Sequence, residues 1–187
     1  MSRLIPALFL LVLCSFTGDK KGEKFFFVGD GKYVQTFELK FESPAGFSHI
    51  SGVDNPDLAR FYGEFEPGHV TPNFSKFNSR GIKKASLKIG PTKGSENLLD
   101  LISSGKKVHN DWALYLSKKK IHNLNLKYGT GIANVSLSDL SVYQLKIDNV
   151  NADVHVKCIA SRPNKVVMDS LIIATHKGVV NLSLIHI

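Results

Sequence analysis

The chain has 187 residues, of which 43% are hydrophobic and 21% are charged. This length and composition suit one domain with a buried core and exclude a disordered protein. The formal net charge of +8, from 24 Lys and Arg against 16 Asp and Glu, is interpreted as a solvated rim of lysines, and the alternative is attraction to an anionic polymer or lipid surface. We do not expect a nucleic acid as the partner, because the sequence has no basic helix, no zinc-finger spacing and no RNA-binding aromatic motif.

The N-terminus has the layout of a secretory signal peptide. Arg3 precedes an apolar run from Leu4 to Leu13, and small or polar residues follow the run. The run is too short to span a bilayer, so we predict a signal peptide over residues 1–17 rather than a buried N-terminal helix. Cys14 ends a lipobox-like stretch and is a candidate for a lipid anchor. We do not favour the anchor, because Leu13 is larger than the residue usual before an acylated cysteine.

Alternating apolar residues predict the first strands. Residues 25–28 and 37–41 flank a glycine-rich segment at 29–31, which predicts an opening strand pair around a tight turn. The same two-residue period predicts strands over residues 57–65 and 85–89. These strands belong to the part of the chain before the clearest repeat.

Two segments interrupt this pattern. Pro67 and Pro72 predict breaks in regular structure, because proline lacks the N–H that a strand ladder uses. Residues 95–104 alone indicate helix, and we predict no more than one short turn there. No linker or shift in composition divides the chain, so residues 18–187 are expected to form a single domain.

Between Trp112 and Val156 the sequence repeats short pairs of alternating apolar residues. These pairs begin 10, 11, 10 and 9 residues apart, and they are Leu114/Leu116, Leu124/Leu126, Val135/Leu137, Leu145/Ile147 and Val154/Val156. Alternation places both members of a pair on one face of a strand, and the even spacing stacks one strand on the next. We therefore predict an all-β fold with little helix, a β-solenoid of short stacked strands or else a very regular meander.

Longer intervals predict which residues lie above one another in the stack. Leu124 and Leu145 are 21 residues apart, and Leu145 and Leu171 are 26 apart. The five extra residues of the second interval fit a loop at residues 160–164, which contains a proline between polar residues.

Several short motifs follow one another in a fixed order. They are Phe37 to Phe41, Ala45-Gly46, Asp57-Leu58-Ala59, Asp111 to Leu116, Leu124 to Gly131, Leu137 to Leu140 and Leu145 to Ile147. In this order, from about Tyr33 to Leu182, the chain resembles the bacterial toast-rack domain. That family is related to the putative adhesins and to the C-terminal domain of Lia-type cell-envelope stress proteins.

The resemblance implies a right-handed, single-stranded β-helix or solenoid with no established enzymatic role. It also implies a bacterial protein that is exported to the periplasm, the cell surface or the extracellular space. The structural motif residues that it marks are Trp112, Gly129, Gly131, Asp139 and Leu140.

Turn residues are expected at the reversals between rungs. Gly129 and Gly131 lie where the chain must reverse, and a residue without a Cβ can take a positive φ there. The family repeats a Gly-x-Gly turn in the next rung, but this chain has residues 149–153, with the sequence NVNAD. Asn tolerates a positive φ, so we expect this turn to be kept. Asp139 is expected to cap backbone N–H groups in its own turn.

The sequence contains no recognisable metal or catalytic motif. Its seven histidines show no His-x-His or His-Glu-x-x-His spacing, and there is no Cys-x-x-Cys, so neither a metal nor a cofactor is predicted. His155 lies between two apolar residues of a strand and should point away from the core. Cys158 would be the one cysteine left after signal cleavage, and we interpret it as a core residue.

Two functions from different classes fit these observations. The first is a non-enzymatic exported β-solenoid protein of the cell envelope, acting as an adhesion-like or envelope-sensing interaction module. The alternative is a β-helix enzyme on an anionic envelope polysaccharide, with lysines for binding and two carboxylates about 5 to 9 Å apart for acid/base work. Its candidate carboxylates lie near the ends of the predicted rungs, at Asp139, Asp148, Asp153 and Asp169.

The partner is expected to be an unknown envelope protein or an anionic surface polymer. Lys118, Lys119 and Lys120 are the candidate contacts with an anionic surface. The other interpretation of this triplet is a solvated strand edge, where lysine discourages edge-to-edge pairing.

The last six residues, LSLIHI from Leu182 to Ile187, resemble translated sequencing adapter. On that interpretation the native chain continues differently and the last rung is truncated. The alternative is a terminal strand in which Leu182 and Leu184 alternate.

Overall fold

The computed structural model describes residues 22–29, 33–54, 57–93 and 109–184. Within these ranges the chain forms eleven β-strands and no helix, and therefore no helix that could cross a bilayer. The strands are β1 (Gly22–Gly29), β2 (Thr36–Ser43), β3 (Phe47–Val53), β4 (Asp57–Phe65), β5 (Val70–Ser79), β6 (Ile82–Pro91), β7 (Asn110–Ser117), β8 (Ile121–Ser136), β9 (Ser141–Cys158), β10 (Ser170–Thr175) and β11 (Val180–Leu184). The predicted signal peptide and the predicted helical turn at residues 95–104 lie outside the described residues.

Two long strands bend and divide the sheet into two arms. Residues 121–128 of β8 pair with β2, whereas residues 132–135 pair with β3. β9 follows β8 in parallel on both sides of the bend, and its two halves then pair with β10 and β11. We define the first arm as the strand order β5-β6-β2-β8-β9-β10 and the second arm as β1-β4-β7-β3-β8-β9-β11.

The sheet mixes parallel and antiparallel pairings. Neighbours are parallel from β6 to β10 in the first arm and from β7 to β11 in the second. β5 is antiparallel to β6, and β4 is antiparallel to both β7 and β1. The all-β class is thus confirmed for the described residues. A uniform solenoid of short strands is not, because β1, β4 and β5 pair antiparallel and β8 and β9 are long.

The repeat of about ten residues proves to be half of a rung. Leu124/Leu126 lie in the first arm and Val135 lies beyond the bend in the second, so a complete rung takes about twice the repeat. The even spacing predicted that Leu114 and Leu116 stack on Leu124. They do not, because β7 pairs with β3 and β4. The period identifies which side chains share a face, whereas the partner strand depends on the three-dimensional path of the chain.

The longer intervals were predicted correctly. Leu124 pairs with Leu145, and Leu145 pairs with Leu171. The predicted loop at 160–164 contains a tight turn, in which the N–H of Arg162 donates to the carbonyl of Ile159 at 2.9 Å.

The predicted opening strand pair is wrong. β1 pairs with β4, and β2 lies between β6 and β8 in the other arm. Pro72 does not break regular structure either, because it lies inside β5. That strand is at the edge of the first arm, where a missing N–H is tolerated. The strands predicted over residues 57–65 and 85–89 are confirmed as β4 and β6.

The hydrophobic core lies between the two arms. Alternate side chains of each strand point inward and are buried, as Phe37, Leu39 and Phe41 show for β2. At the edges, Phe74 of β5 packs on Phe26 of β1, with ring centroids 4.7 Å apart. The far edges of the arms therefore meet, and one continuous core is enclosed.

Candidate binding groove

A polar groove lies on the outer face of the first arm. Because alternate residues of β2 point into the core, Glu38 and Lys40 point outward. The parallel pairing repeats this pattern in β6, β8, β9 and β10, and it aligns outward side chains in columns that run across the strands. One column contains Lys84, Glu38, Asn123, Gln144 and Ser170, and the next contains Ser86, Lys40, Asn125, Lys146 and Ile172.

These two columns line a groove of about 490 Å³. Phe77 of β5 stands at one end and Ile172 of β10 at the other, and both side chains are more than half exposed. A second hollow, of about 390 Å³, continues from the same face toward the bend and is lined by residues that include Lys127 and Asp148. The outer face of the first arm therefore contains both hollows.

Several charged side chains of this face form ion pairs with one another. Lys84 pairs with Glu38 at 2.5 Å, and Lys40 pairs with Glu42 at 2.8 Å. The hydrogen bond from Lys40 lowers the pKa of Glu42, although burial acts in the opposite direction. The lowered pKa keeps the Glu42 carboxylate charged at neutral pH.

Three other polar side chains of the groove have no partner among the described residues. The Nζ atom of Lys146 forms no ion pair, and the Oδ1 atoms of Asn123 and Asn125 are buried and accept no hydrogen bond. Gln144 differs, because its Nε2 donates to Asp169 Oδ2 at 3.1 Å. The groove thus contains one ammonium and two amides that have no interaction partner among the described residues.

Trp112 lies in the second arm and is 1% exposed. Its Nε1 donates to Asn110 Oδ1 at 2.7 Å, and its ring stacks against Phe65 with centroids 6.0 Å apart. Asn110 is fully buried and also donates from Nδ2 to Ser43 Oγ and to the carbonyl of Ala45. Trp112 and Asn110 therefore tie β7 to the corner between β2 and β3. Asn110 was not singled out from the sequence, although it alternates with Trp112 and so shares its inward face.

Gly129 and Gly131 lie at the bend of β8. Gly131 has a φ of 108°, as the sequence predicted. Gly129 does not have a positive φ, but a Cβ there would overlap the carbonyl oxygen of Pro44 in the neighbouring rung. That oxygen accepts a hydrogen bond from the N–H of Thr130 at 2.9 Å. Gly129 is thus required by close approach between rungs rather than by its own dihedral angle.

The bend of β9 is stabilised by a different interaction from the one predicted. No residue from 149 to 153 has a positive φ. Instead the Asn149 side chain accepts from the N–H of Ala152 at 2.8 Å and donates to the Ala152 carbonyl at 2.8 Å. The side-chain amide satisfies both backbone groups of Ala152 in a buried position.

Asp139 and the lysine triplet meet at one end of the stack. Asp139 has a φ of 62° and contacts Arg162 Nε at 3.1 Å and Lys118 Nζ at 3.4 Å, so ion pairs occupy the carboxylate that was expected to cap a turn. Lys118 also pairs with Asp54 at 3.0 Å. The neighbouring Leu140 is fully buried.

The other two lysines of the triplet differ in exposure. Lys120 donates from Nζ to the carbonyl of Val34 at 2.7 Å, and Lys119 is exposed. Since internal contacts hold Lys118 and Lys120, Lys119 is the accessible member of the triplet. An anionic contact at this triplet stays a prediction.

The remaining aspartates that the sequence singled out are dispersed. Asp148 pairs with Lys127 at 3.7 Å on the first arm, and Asp169 lies before β10, where it accepts from Gln144. Asp153 is exposed on the second arm. In the described ranges, no cluster of three or more His, Cys, Asp or Glu side chains could hold a metal ion.

Cys158 is a buried core residue, as predicted, and it is 2% exposed. His155 is half-buried and lies 3.2 Å from Asn181 Nδ2 through its Nδ1. His122 was not predicted as a buried residue, yet it is fully buried with Nε2 2.6 Å from the Ser117 carbonyl. Burial lowers the pKa of His122 to about 4. Its alternation with Leu124 is the sequence signal that could have revealed its inward position.

The comparison with protein families matches residues 17–169 to the N-terminal domain of toast_rack, DUF2154. The chain belongs to the toast-rack family. The resemblance inferred from the sequence motifs is therefore confirmed. In this toast-rack chain the matched range contains both bend glycines, Trp112 and the groove residues up to Lys146.

A solved structure with a similar fold is that of a protein described as a putative cell adhesion protein from Clostridium sporogenes. It superposes with a TM-score of 0.62 at 14% sequence identity, and the match covers 88% of this chain and 100% of the other. At 14% sequence identity, this structural similarity bears on the fold of the toast-rack chain alone. The search among curated proteins finds no match.

Proposed function

We propose that this toast-rack chain is an exported, non-enzymatic interaction module of the bacterial cell envelope that acts like an adhesin. The observation that carries the proposal is the concave polar face of the first arm, with an ammonium and two amides that no described residue engages. Family membership and the cell-adhesion description of the structural neighbour support it. The layout of residues 1–17 supports export.

The arrangement of carboxylates favours binding over hydrolysis. Asp54 and Asp139 converge on Lys118, at 3.0 and 3.4 Å. The hydrogen bond from Lys118 lowers the pKa of Asp54. A glycosidase needs one carboxyl group that keeps its proton to act as the general acid, so a carboxylate held in its charged form is poorly suited to that role.

Sedimentation with isolated bacterial envelopes tests the binding function. The purified chain should move into the envelope pellet in a saturable manner, while the envelopes release no new reducing sugar ends over the same period. Failure to sediment would contradict a binding module. Release of reducing ends in proportion to protein concentration would favour the enzyme.

A reporter fusion tests export. Residues 1–17 are joined to a phosphatase that is active only outside the cytoplasm, and a matched fusion lacks these residues. We expect activity from the first fusion alone, because the apolar run after Arg3 provides the export signal. Equal activity of the two fusions would contradict a signal peptide.

A further inference from the structure

The groove can recognise hydroxyl and carboxylate groups together. Asn123 and Asn125 each carry an amide that is held by no hydrogen bond to a described residue; their Oδ1 atoms are buried, so each presents its Nδ2 donor to a ligand. The oxygen of a sugar hydroxyl accepts such a hydrogen bond. The two amides lie side by side on β8 at the centre of the groove.

The charge of this face favours an acidic ligand. Glu38 is paired with Lys84, and Glu42 with Lys40, which leaves Lys146 as the uncommitted cation of the two columns. A ligand carboxylate could reach Lys146 without displacing an internal partner. A charge-assisted hydrogen bond of this kind is stronger than one between neutral groups.

The shape of the groove suits an extended chain. It crosses from β5 to β10, which are five strand spacings apart, or roughly 24 Å at about 4.8 Å for each spacing. Phe77 and Ile172 provide apolar surface at its two ends, on which the C–H faces of sugar rings can pack. Polar recognition groups lie between these ends.

We propose that the groove binds a linear polysaccharide that carries carboxylate groups, with its chain running across the strands from Phe77 to Ile172. Lys146 binds a carboxylate, and Asn123 and Asn125 bind ring hydroxyls. The inference rests on the proposed binding function and adds to it a ligand class and a site.

Calorimetric titration with oligomers of polygalacturonate tests the inference, with dextran as the neutral probe and polyphosphate as the phosphate-bearing probe. Wild type should bind polygalacturonate at least tenfold more tightly than dextran or polyphosphate, with an affinity that falls as salt rises. Lys146→Ala should weaken binding roughly tenfold through loss of the charged hydrogen bond. Asn125→Asp, which is isosteric, should weaken it further by repelling the carboxylate.

Lys157→Ala is the matched control, because it removes an equal charge from an exposed position on the second arm and should change affinity less than about twofold. Circular dichroism checks that all variants are folded. Equal binding of dextran, tighter binding of polyphosphate, or equal loss in Lys146→Ala and Lys157→Ala would each overturn the inference. A larger loss in Lys119→Ala than in Lys146→Ala would place the site at the lysine triplet instead and would also overturn it.

The envelope assay separates this inference from the proposed function. If wild type and Lys146→Ala sediment equally with envelopes and neither binds polygalacturonate, the groove inference fails while the binding function stands. If wild type binds polygalacturonate through Lys146 but does not sediment with envelopes, the groove inference stands and the envelope function fails.

Discussion

The two glycines at the bend of β8 are required for different physical reasons. Gly131 adopts a φ of 108°, which residues with a Cβ rarely adopt. Gly129, in contrast, lies against the Pro44 carbonyl of the neighbouring rung. The second requirement depends on a contact between residues more than eighty positions apart. It therefore belongs to the packing of rungs and not to the local turn.

Gly129→Ala is expected to destabilise the fold by more than about 2 kcal/mol, because the added Cβ meets backbone that cannot move without breaking the hydrogen bond from Thr130. Urea unfolding measures the change. Gly90→Ala is the matched control, since a Cβ there meets nothing within 4 Å, and it should remain within about 0.5 kcal/mol of wild type. Equal stability of the two variants would contradict the close-approach argument.

His122 makes the stability of the fold depend on pH. Burial lowers its pKa from 6.5 to about 4, so between these values the unfolded chain binds the proton more tightly than the folded chain. Its contribution to stability is therefore complete above pH 6.5 and is lost as the pH falls from 6.5 toward 4. His49 changes the stability with pH in the same direction, because its pKa is lowered mainly by burial and also by the positive charge of Lys157.

Wild type should lose about 2 kcal/mol of unfolding free energy between pH 7.5 and pH 5 through His122. The variant His122→Gln should be less stable at pH 7.5 but should lose less between the two values, since Gln does not titrate. Urea unfolding at both pH values provides the measurement, and His176→Gln controls for removal of a histidine as such. An unchanged slope in His122→Gln would refute a buried neutral imidazole.

At the scale of the element, each bent strand needs hydrogen-bond partners for the backbone at its corner. β8 solves this with glycines that let the neighbouring rung approach, and β9 solves it with the side chain of Asn149. Both solutions satisfy buried backbone groups that would otherwise be costly.

Asn149→Ala should destabilise the fold by about 2 kcal/mol, because it leaves the N–H and the carbonyl of Ala152 without these partners in a buried corner. Asn151→Ala, two residues away at an exposed position, should change stability by less than about 0.5 kcal/mol. Thermal unfolding of both variants compares them. Similar melting temperatures would show that water replaces the amide.

At the scale of the whole molecule, burial decreases toward the last rung. Leu39, Leu124 and Leu145 lie in one column and are at most 2% exposed, whereas Leu171 in the same column is 36% exposed. β10 and β11 pair with β9 alone, so their other edges carry no described strand. The same side chain should thus contribute less at the end of the stack.

Leu124→Ala is expected to cost about 2–5 kcal/mol, the range for a buried leucine, and Leu171→Ala only about 1 kcal/mol. Because both substitutions remove the same atoms from one column, the comparison isolates the effect of position. Urea unfolding under identical conditions measures both values. Equal losses would indicate that a further layer covers β10 in solution.

Local pattern was sufficient for most of the strands and insufficient for their partners. The strands at residues 57–65 and 85–89 follow from side chains that alternate within each segment, a property that each segment possesses on its own. The separation of β1 from β2 does not follow, because it depends on which distant strand each one meets. The inward positions of His122, Asn110 and Asn149 were open to the same alternation argument, but a polar residue in an apolar column is easily taken for a surface residue.

The order of residues along the chain was enough to specify the all-β class, the family and the vertical alignment of Leu124, Leu145 and Leu171, because two-residue alternation and rung length are properties of that order. The antiparallel edges, the two arms and the candidate groove arise only when the chain folds. Lys84, Glu38 and Asn123 become neighbours solely through the register of three strands that are far apart in sequence, and such register is set by burial of the whole core.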